Sequence, residues 1–488
     1  LDYRKFDYSD GIAPYFREEI RKQLLKWSAS EKEQGNEYNI YTSGLKIYTT
    51  MDYKMQVLAE KAMKKHMSSL QKRFEKSYGK GAPWLVKKKI IEKAVKNTSH
   101  YKKLLANGLS ADEAWDSLST KQNIPLSNWN GEKTIEASSI DSVKHYMKFL
   151  NTGSLSIDSK TGAVQTWIGG IDFKNFKFDH VAQSRRQVGS TFKPVVYTAA
   201  LEMGIPPCAY FSAREIEYLN LKGWSPSNSG DKDEAYLNYS MEEALSKSIN
   251  TVAVKVLEAT GIENVLTQAK KMGVFSELPN QPSLALGTGE IYLNELAGMY
   301  ASYVNDGKAV FPYLIKNITN QKDSILTHFE PKKAKNRAFS KETGQIMVEM
   351  MKSTINSGTA SRIRNTYKLN NAIAGKTGTT QNNKDAWFVA LTPNLVHVTW
   401  VGLDNHEIGF KSTSLGQGAN AALPLFALWY QDLNKDKKFN YITKAQFEKP
   451  NVFVRDQLNC EPVKRDGFLK RLFTNPDKKK TKKFKRKN

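Results

Sequence analysis

The chain has 488 residues, 40% of them hydrophobic and 11% aromatic, and carries a formal net charge of +24. That length exceeds one average domain, and the composition suits a protein with a substantial core rather than a disordered or collagen-like chain. It has no run of 18 apolar residues to span a membrane, too few cysteines (Cys208 and Cys460) for a disulfide framework, and scattered histidines that call for no metal or other cofactor.

The chain starts at Leu1, with neither an initiator Met nor a secretory signal, which reads as a piece of something longer. Residues 1–45 read as a linker, with the helical, polar pattern "GIAPYFREEIRKQLLKW". "SGLKIYTTMD" is a short alternating strand that ends at a helix start, where Asp52 or Thr50 can cap "YKMQVLAEKAMKKHMSSLQKRF". From 75 to 148 the pattern is helical and charged and reads as an insertion. In "GSLSIDSKTGAVQTWIGG" the apolar residues Leu155, Ile157, Val164, Trp167 and Ile168 flank a Ser-Lys-Thr-Gly turn. This is a β-hairpin, and its Lys160-Thr161-Gly162 is a structural loop tip.

Helices dominate from about Thr191 to Gly307. "SMEEALSKSINTVAVKVLEATG" opens with a capping box, Ser240 with Glu243, and ends at Gly261, and "NELAGMYASYVNDG" closes at Gly307. Strand character returns with "NAIAGKTGTT", "DAWFVALT" and "LVHVTWVGL", the last two joined by "PN" as an antiparallel meander. Strands at both ends with helices between them predict an α+β domain whose terminal strands meet in one sheet. The end, 446–488, is a basic tail, with 12 Lys/Arg against 2 Asp/Glu from Lys464 to Asn488. Such a tail is usually solvated and partly disordered, or else drawn to an anionic polymer or membrane surface. No motif for reading nucleic acid accompanies it, so no nucleic acid partner is expected.

A second Lys-Thr-Gly, Lys376-Thr377-Gly378, sits among small residues and ahead of strands, and Thr379 follows it. A phosphate loop would need Gly where Asn370 stands, so that reading is set aside. Lys-Thr-Gly gains weight when a Ser-x-x-Lys and a Ser-x-Asn precede it. Ser-x-x-Lys occurs six times in this lysine-rich chain, so context must choose among the copies. At "RRQVGSTFKPVVYTAALEMG", Pro194 is tolerated only in a first helical turn, so Ser190 lies at a helix entrance. Backbone N–H groups are free there, and Lys193 shares the serine's face. Ser-x-Asn occurs once, as Ser248-Ile249-Asn250, in a plausible helix–helix loop.

These segments, with "LALGTGEIYLNELAGMYASYVNDG", "AGKTGTTQNNKDAWFVAL" and "GLKIYTTMDYKMQVLAEKA", resemble the penicillin-recognising serine acyltransferases. The resemblance is to the transpeptidase part of class A bifunctional penicillin-binding proteins. It is most specific over about 150–405, and leaves most of 75–148 and the basic tail without a counterpart. It implies a five-stranded antiparallel sheet with helices on both faces plus an all-helical subdomain, the fold shared with serine β-lactamases. On this reading 46–74 begins the transpeptidase domain, 149–445 is its core, and a glycosyltransferase domain and membrane anchor would normally precede the linker. The site would face the extracytoplasmic side of a bacterial inner membrane. Its substrates would be D-Ala-D-Ala stem peptides and β-lactams, and its partners cell-wall synthesis proteins.

The resemblance assigns Ser190 as nucleophile, Lys193 as general base and Ser248 as proton shuttle. Asn250 would fix Lys193 and the substrate amide. Lys376, staying charged, with Thr377 and Thr379, would hold the terminal carboxylate, and Gly378 would let the substrate approach. The backbone N–H groups of Ser190 and Thr379 would form the oxyanion hole. A base at neutral pH requires Lys193 to fall roughly 3.4 units from about 10.4, or about 4.6 kcal/mol, which burial beside Phe192 and repulsion from Lys376 can provide. A carboxypeptidase or β-lactamase would use the same motifs but needs a deacylating acid, and nothing distinguishes Glu258 or Glu290 for that role. A non-enzymatic β-lactam sensor is the remaining alternative.

Overall fold

The computed structural model describes residues 9–228, 232–473, 475 and 479–486. The site is built by helix α1 (Tyr53–Tyr78), strands β1 (Asn151–Asp158) and β2 (Val164–Ile168), and helices α2 (Lys193–Glu202), α3 (Asn250–Thr260) and α4 (Lys341–Asn356). Strands β3 (Ala374–Thr379), β4 (Asp385–Leu391) and β5 (Leu395–Gly402) and helix α5 (Leu423–Asn434) complete it. The five strands form one antiparallel sheet in the order β3-β4-β5-β1-β2. The two halves of the sheet meet where β5 pairs with β1, from Leu395 opposite Asp158 to Gly402 opposite Asn151. β3 is left at an edge.

Both sheet faces are covered, which is why β4 and β5 are buried along their whole length. The period of two along β4 divides its side chains between two cores. Trp387, Val389 and Leu391 join Phe192, Val252 and Met347 under α2, α3 and α4, whereas Ala386, Phe388 and Ala390 join Met63, Met67, Phe426 and Trp429 of α1 and α5. Each fully buried Leu, Val or Phe in these layers contributes about 1.5–3 kcal/mol. His397, inside β5, is a core residue: Ser156 Oγ lies 2.7 Å from Nδ1, Thr399 Oγ1 2.8 Å from Nε2, and burial pushes its pKa down to about 3. Asp52 is the cap of α1, accepting from the Met55 N–H at 2.9 Å, while the Thr50 hydroxyl donates to the Val164 carbonyl instead.

The first Lys-Thr-Gly is a hairpin tip. Asp158 Oδ1 accepts from the N–H groups of Lys160 (3.0 Å) and Thr161 (2.8 Å). Gly162 has φ 79°, and a Cβ there would lie 2.4 Å from the Phe311 carbonyl oxygen.

Three expectations are corrected. The segment 75–148 is not helical throughout: Lys121–Asn128 and Gly131–Ser138 pair as an antiparallel hairpin, Lys121 opposite Ser138. Both strands are largely exposed, so they show little of the alternation that marks a half-buried strand. The signal was Asn130-Gly131 at the end of the turn: Trp129 and Asn130 are its central residues, and Gly131, at φ 113°, pairs with Asn128. The helix that Ser240 opens ends at Ser246 and α3 starts at Asn250, which leaves the expected helix–helix loop at Ser248; what is corrected is the capping box. Ser240 accepts from the Glu243 N–H at 3.2 Å as a simple cap.

The third correction concerns the basic tail, whose described part is docked. Val463–Arg465 pairs with Leu237–Tyr239, Lys480–Lys482 runs parallel to Ile216–Tyr218, and Cys208 and Cys460 form a disulfide. Phe484 is buried edge-on to Tyr218, and Lys482 Nζ meets Glu258 at 2.6 Å. Charge counting along the tail missed these partners because they lie more than 200 residues earlier in the chain. Residues 474, 476–478 and 487–488, which share the expectation of disorder, lie outside the described residues.

The disulfide spans 252 residues and anchors the chain just ahead of the short strand Val463–Arg465. Cys208→Ser is therefore expected to speed amide exchange across Val463–Arg465 and Lys480–Lys482 while leaving protection of β1–β5 unchanged. Loss of protection spread through the sheet would contradict this account.

Candidate active site

Ser190 lies in a single 3₁₀ turn, Gly189–Phe192, that runs straight into α2. Pro194 occupies the first turn of α2, where its missing N–H removes no helical bond. The serine is half-buried, while Thr191, Phe192 and Lys193 behind it are fully buried. Ser190 is the second residue of its turn, so its N–H has no partner within it.

The turn is pressed onto β3 by glycines. A Cβ on Gly378 would lie 2.8 Å from the Val188 carbonyl oxygen and 2.9 Å from Thr191 Cγ2, and one on Gly189 (φ 55°) would lie 2.9 Å from the Thr379 carbonyl oxygen. The close approach at Gly378 is therefore to the turn that carries Ser190, not only to a substrate. From the other side, Gly287 (φ 74°) packs on the same turn: the Gly189 N–H donates to its carbonyl at 3.0 Å, and a Cβ there would meet Gly189 O at 1.9 Å. The Trp387 indole donates to the Gln187 carbonyl at 2.8 Å, which ties β4 to the strand just before the serine.

Lys193 points from α2 towards the connector that precedes α3. Its Nζ donates to the Ser248 carbonyl (2.6 Å), Ser248 Oγ (3.2 Å) and Asn250 Oδ1 (2.8 Å). Ser248 holds φ 60°, an uncommon conformation for a residue with a side chain, in the connector between the Ser240-capped helix and α3. Lys376 Nζ reaches the same hydroxyl from β3 at 3.0 Å, and also donates to the Thr377 carbonyl at 3.1 Å. Ser248 Oγ is thus the meeting point of two amines.

Both lysines are completely buried. Burial, and then the neighbouring Lys376 charge, hold Lys193 well below its ordinary pKa, and burial pushes Lys376 down to about 7. The expectation that Lys376 stays charged is thereby modified: in the unliganded site it is half-protonated near neutrality.

The Thr377 and Thr379 side chains share one side of β3, opposite Lys376. Thr377 Oγ1 lies 2.6 Å from Thr359 Oγ1, and Thr379 Oγ1 accepts from the Gly418 N–H at 3.2 Å. Because the Thr380 N–H bonds back to the Asp385 carbonyl (3.0 Å), alternation turns the Thr379 N–H to the free edge. Asn250 Nδ2 donates to the Ser227 carbonyl at 3.0 Å, which fixes its amide with Oδ1 towards Lys193. Thr359, Gly418 and Ser227 went unnoticed in the sequence, since each meets the site through one hydrogen bond, from a loop or, for Gly418, from the start of the short helix Gly418–Ala421. Glu258 is engaged by Lys482 and by the Tyr218 hydroxyl (3.3 Å), and contacts none of these groups.

Residues 152–423 match the penicillin binding protein transpeptidase domain, and the chain belongs to that family. Residues 79–150 match the penicillin-binding protein middle domain, which gives the segment left unassigned above a counterpart in such proteins. Among curated relatives, penicillin-binding protein 1A of Aquifex aeolicus is 32% identical over 404 residues, covering 79% of this chain and 53% of the relative. That of Rickettsia typhi is 28% identical over 475 residues, covering 87% and 58%. The chain thus spans little more than half the length of these relatives. Penicillin-binding protein 1A from Haemophilus influenzae shares the fold with a TM-score of 0.65 at 22% identity, over 87% of this chain and 71% of that one. PonA1 from Mycobacterium tuberculosis does so at 0.61 and 20%, over 89% and 93%.

The buried amines make stability pH-dependent. Above about pH 7 the native Lys376 is neutral, whereas in the unfolded chain it stays protonated to about 10.4. Unfolding therefore takes up a proton in this window, and stability rises with pH by up to about 1.4 kcal/mol per unit. Unfolding free energies of the native chain, relative to Lys376→Met, should climb between pH 7 and 9. A flat difference would place the charge of Lys376 elsewhere.

Proposed function

We propose that this chain is the D,D-transpeptidase unit of a peptidoglycan-synthesising enzyme. It would act on stem peptides ending in D-Ala-D-Ala and be acylated by β-lactams on the extracytoplasmic face of the bacterial inner membrane. The observation that carries the reading is the convergence of Lys193 and Lys376 on Ser248 Oγ, with Asn250 Oδ1 accepting from the same Lys193, which lies three residues after Ser190.

Neutral Lys193 takes the Ser190 proton as Oγ attacks the carbonyl carbon of the penultimate D-Ala. The N–H groups of Ser190 and Thr379 receive the developing oxyanion. As the C–N bond breaks, the proton passes from Lys193 through Ser248 Oγ to the departing D-Ala amine. The amine of a second stem peptide then attacks the ester and yields its proton along the same path. The new amide is the cross-link, and Ser190 recovers its hydrogen. Asn250 orients Lys193 and receives the substrate amide. Lys376, drawn back to its charged form by the substrate's terminal carboxylate, binds that group with Thr377 and Thr379, and Gly378 keeps β3 close to the serine. Each step moves only protons and an acyl group, so no cofactor is invoked. Other cell-wall synthesis proteins are the expected partners.

Incubation with excess ampicillin at neutral pH should add the mass of the drug to the peptide containing Ser190, and Ser190→Ala should stay unmodified. An unmodified native chain defeats the proposal. The acylation rate should show an inflection from Lys193 below the ordinary lysine range, because burial and then Lys376 depress it; its absence removes that residue as base. A fluorescent penicillin adduct should persist for hours. Turnover in seconds would instead favour a β-lactamase, and an intact cellular role for Ser190→Ala would favour a sensor.

A further inference from the structure

The described end of the chain displays apolar side chains on a fixed platform. Phe468–Leu472 forms a short helix in which Phe468, Leu469 and Leu472 are 69%, 70% and 65% exposed, and Phe473 just after it is 84% exposed. No other large apolar side chain among the described residues is as exposed as Phe473. At about 100° per residue the four fall within roughly 140° of arc, with Lys470 and Arg471 on the opposite side. The segment is held on both sides. Val463–Arg465 is paired with Leu237–Tyr239 before it, and Lys480–Lys482 with Ile216–Tyr218 after it. The Asp466 N–H also donates to the Tyr236 carbonyl at 2.9 Å.

The segment that carries these side chains is strongly basic. Residues 464–488 contribute +10 of the chain's +24. Lys470 and Lys482 have acidic partners, Asp466 and Glu258, but Lys480, Lys483 and Lys485 are exposed and enter no ion pair among the described residues. A soluble polyanion would use these lysines and leave the four apolar side chains in water. A bilayer with anionic headgroups uses both sets at once.

We propose that the C-terminal face docks on an anionic lipid surface, with Phe468, Leu469, Leu472 and Phe473 entering the interface and the unpaired lysines meeting headgroup phosphates. This is independent of the chemistry assigned to Ser190. Two weak signals, one apolar and one electrostatic, give reversible rather than permanent attachment.

The test is co-sedimentation of the whole chain with vesicles of phosphatidylcholine alone or mixed with phosphatidylglycerol. The native chain should sediment with the mixed vesicles only, and less as salt rises. Replacing the four apolar residues with Ser, or Lys480, Lys483 and Lys485 with Gln, should each weaken partitioning at least tenfold without shifting the thermal midpoint. If the fourfold variant does not fold, Phe473→Ser alone should still weaken it measurably. Failure to bind mixed vesicles overturns the proposal. So does an apolar variant that binds as well as the native chain, which together with equal retention on soluble polyphosphate would assign the face to a polyanion.

Discussion

Two lysine amines meeting on one hydroxyl in a dry interior is an arrangement that nothing local favours. Holding Lys376 at about 7 rather than about 10.4 costs the folded chain roughly 4–5 kcal/mol at neutral pH, and Lys193 is displaced the same way. A comparable sum is a large part of the stability of an ordinary domain. It is offset far from the site, by the two cores packed on opposite faces of the sheet. The fold is therefore the source of the displaced titrations: a looser interior would admit water and restore the ordinary pKa values of both lysines.

The same constraint explains the glycines. Lys193 and Lys376 come from elements 183 positions apart, a helix start and an edge strand. Their amines reach one oxygen only if the backbones carrying them nearly touch. Gly378 and Gly189 permit that contact from the two sides, and Gly287 closes it from behind. Buried Arg186 adds a polar clamp. It lies over the Trp400 ring at 4.6 Å and 3.6 Å from Asp385, which in turn accepts from the Thr380 hydroxyl at 2.9 Å. The strand leading to Ser190 and the end of β3 are thereby joined through one carboxylate.

The sequence carried the site better than it carried its surroundings. Ser190, Lys193, Ser248, Asn250 and Lys376 were legible because each lies in a fixed spacing whose chemistry is local to three or four residues. The sheet was legible because β4 and β5 are buried on both faces and read as continuous apolar runs. What failed depended on partners distant in sequence. The hairpin at Lys121–Ser138 lies mostly in solvent and shows no period. The tail looked solvated because Glu258, Glu215 and Cys208, which receive it, are invisible to a local count of charge. Lys376 was expected to keep its proton because its motif says nothing about how completely the strand is covered.

Helix α3 links these two kinds of feature. Its first turn offers Asn250 to Lys193, and its N-terminus is held by Asn228, which accepts from the Thr251 N–H at 3.0 Å. One turn further on, half-buried Lys255 donates to the carbonyls of Ser212 and, at 2.6 Å, Arg214. Glu258 on the next turn receives the tail through Lys482 and the Lys485 N–H at 3.1 Å. The helix that positions Asn250 is thus gripped at its start by the loop before it and near its end by a segment from the far terminus. A rotation of α3 by one residue, about 100°, would break all of these bonds together and carry Asn250 away from Lys193. The tail's contacts at Glu258 and the Lys193–Asn250 bond at 2.8 Å thus lie at opposite ends of one helix.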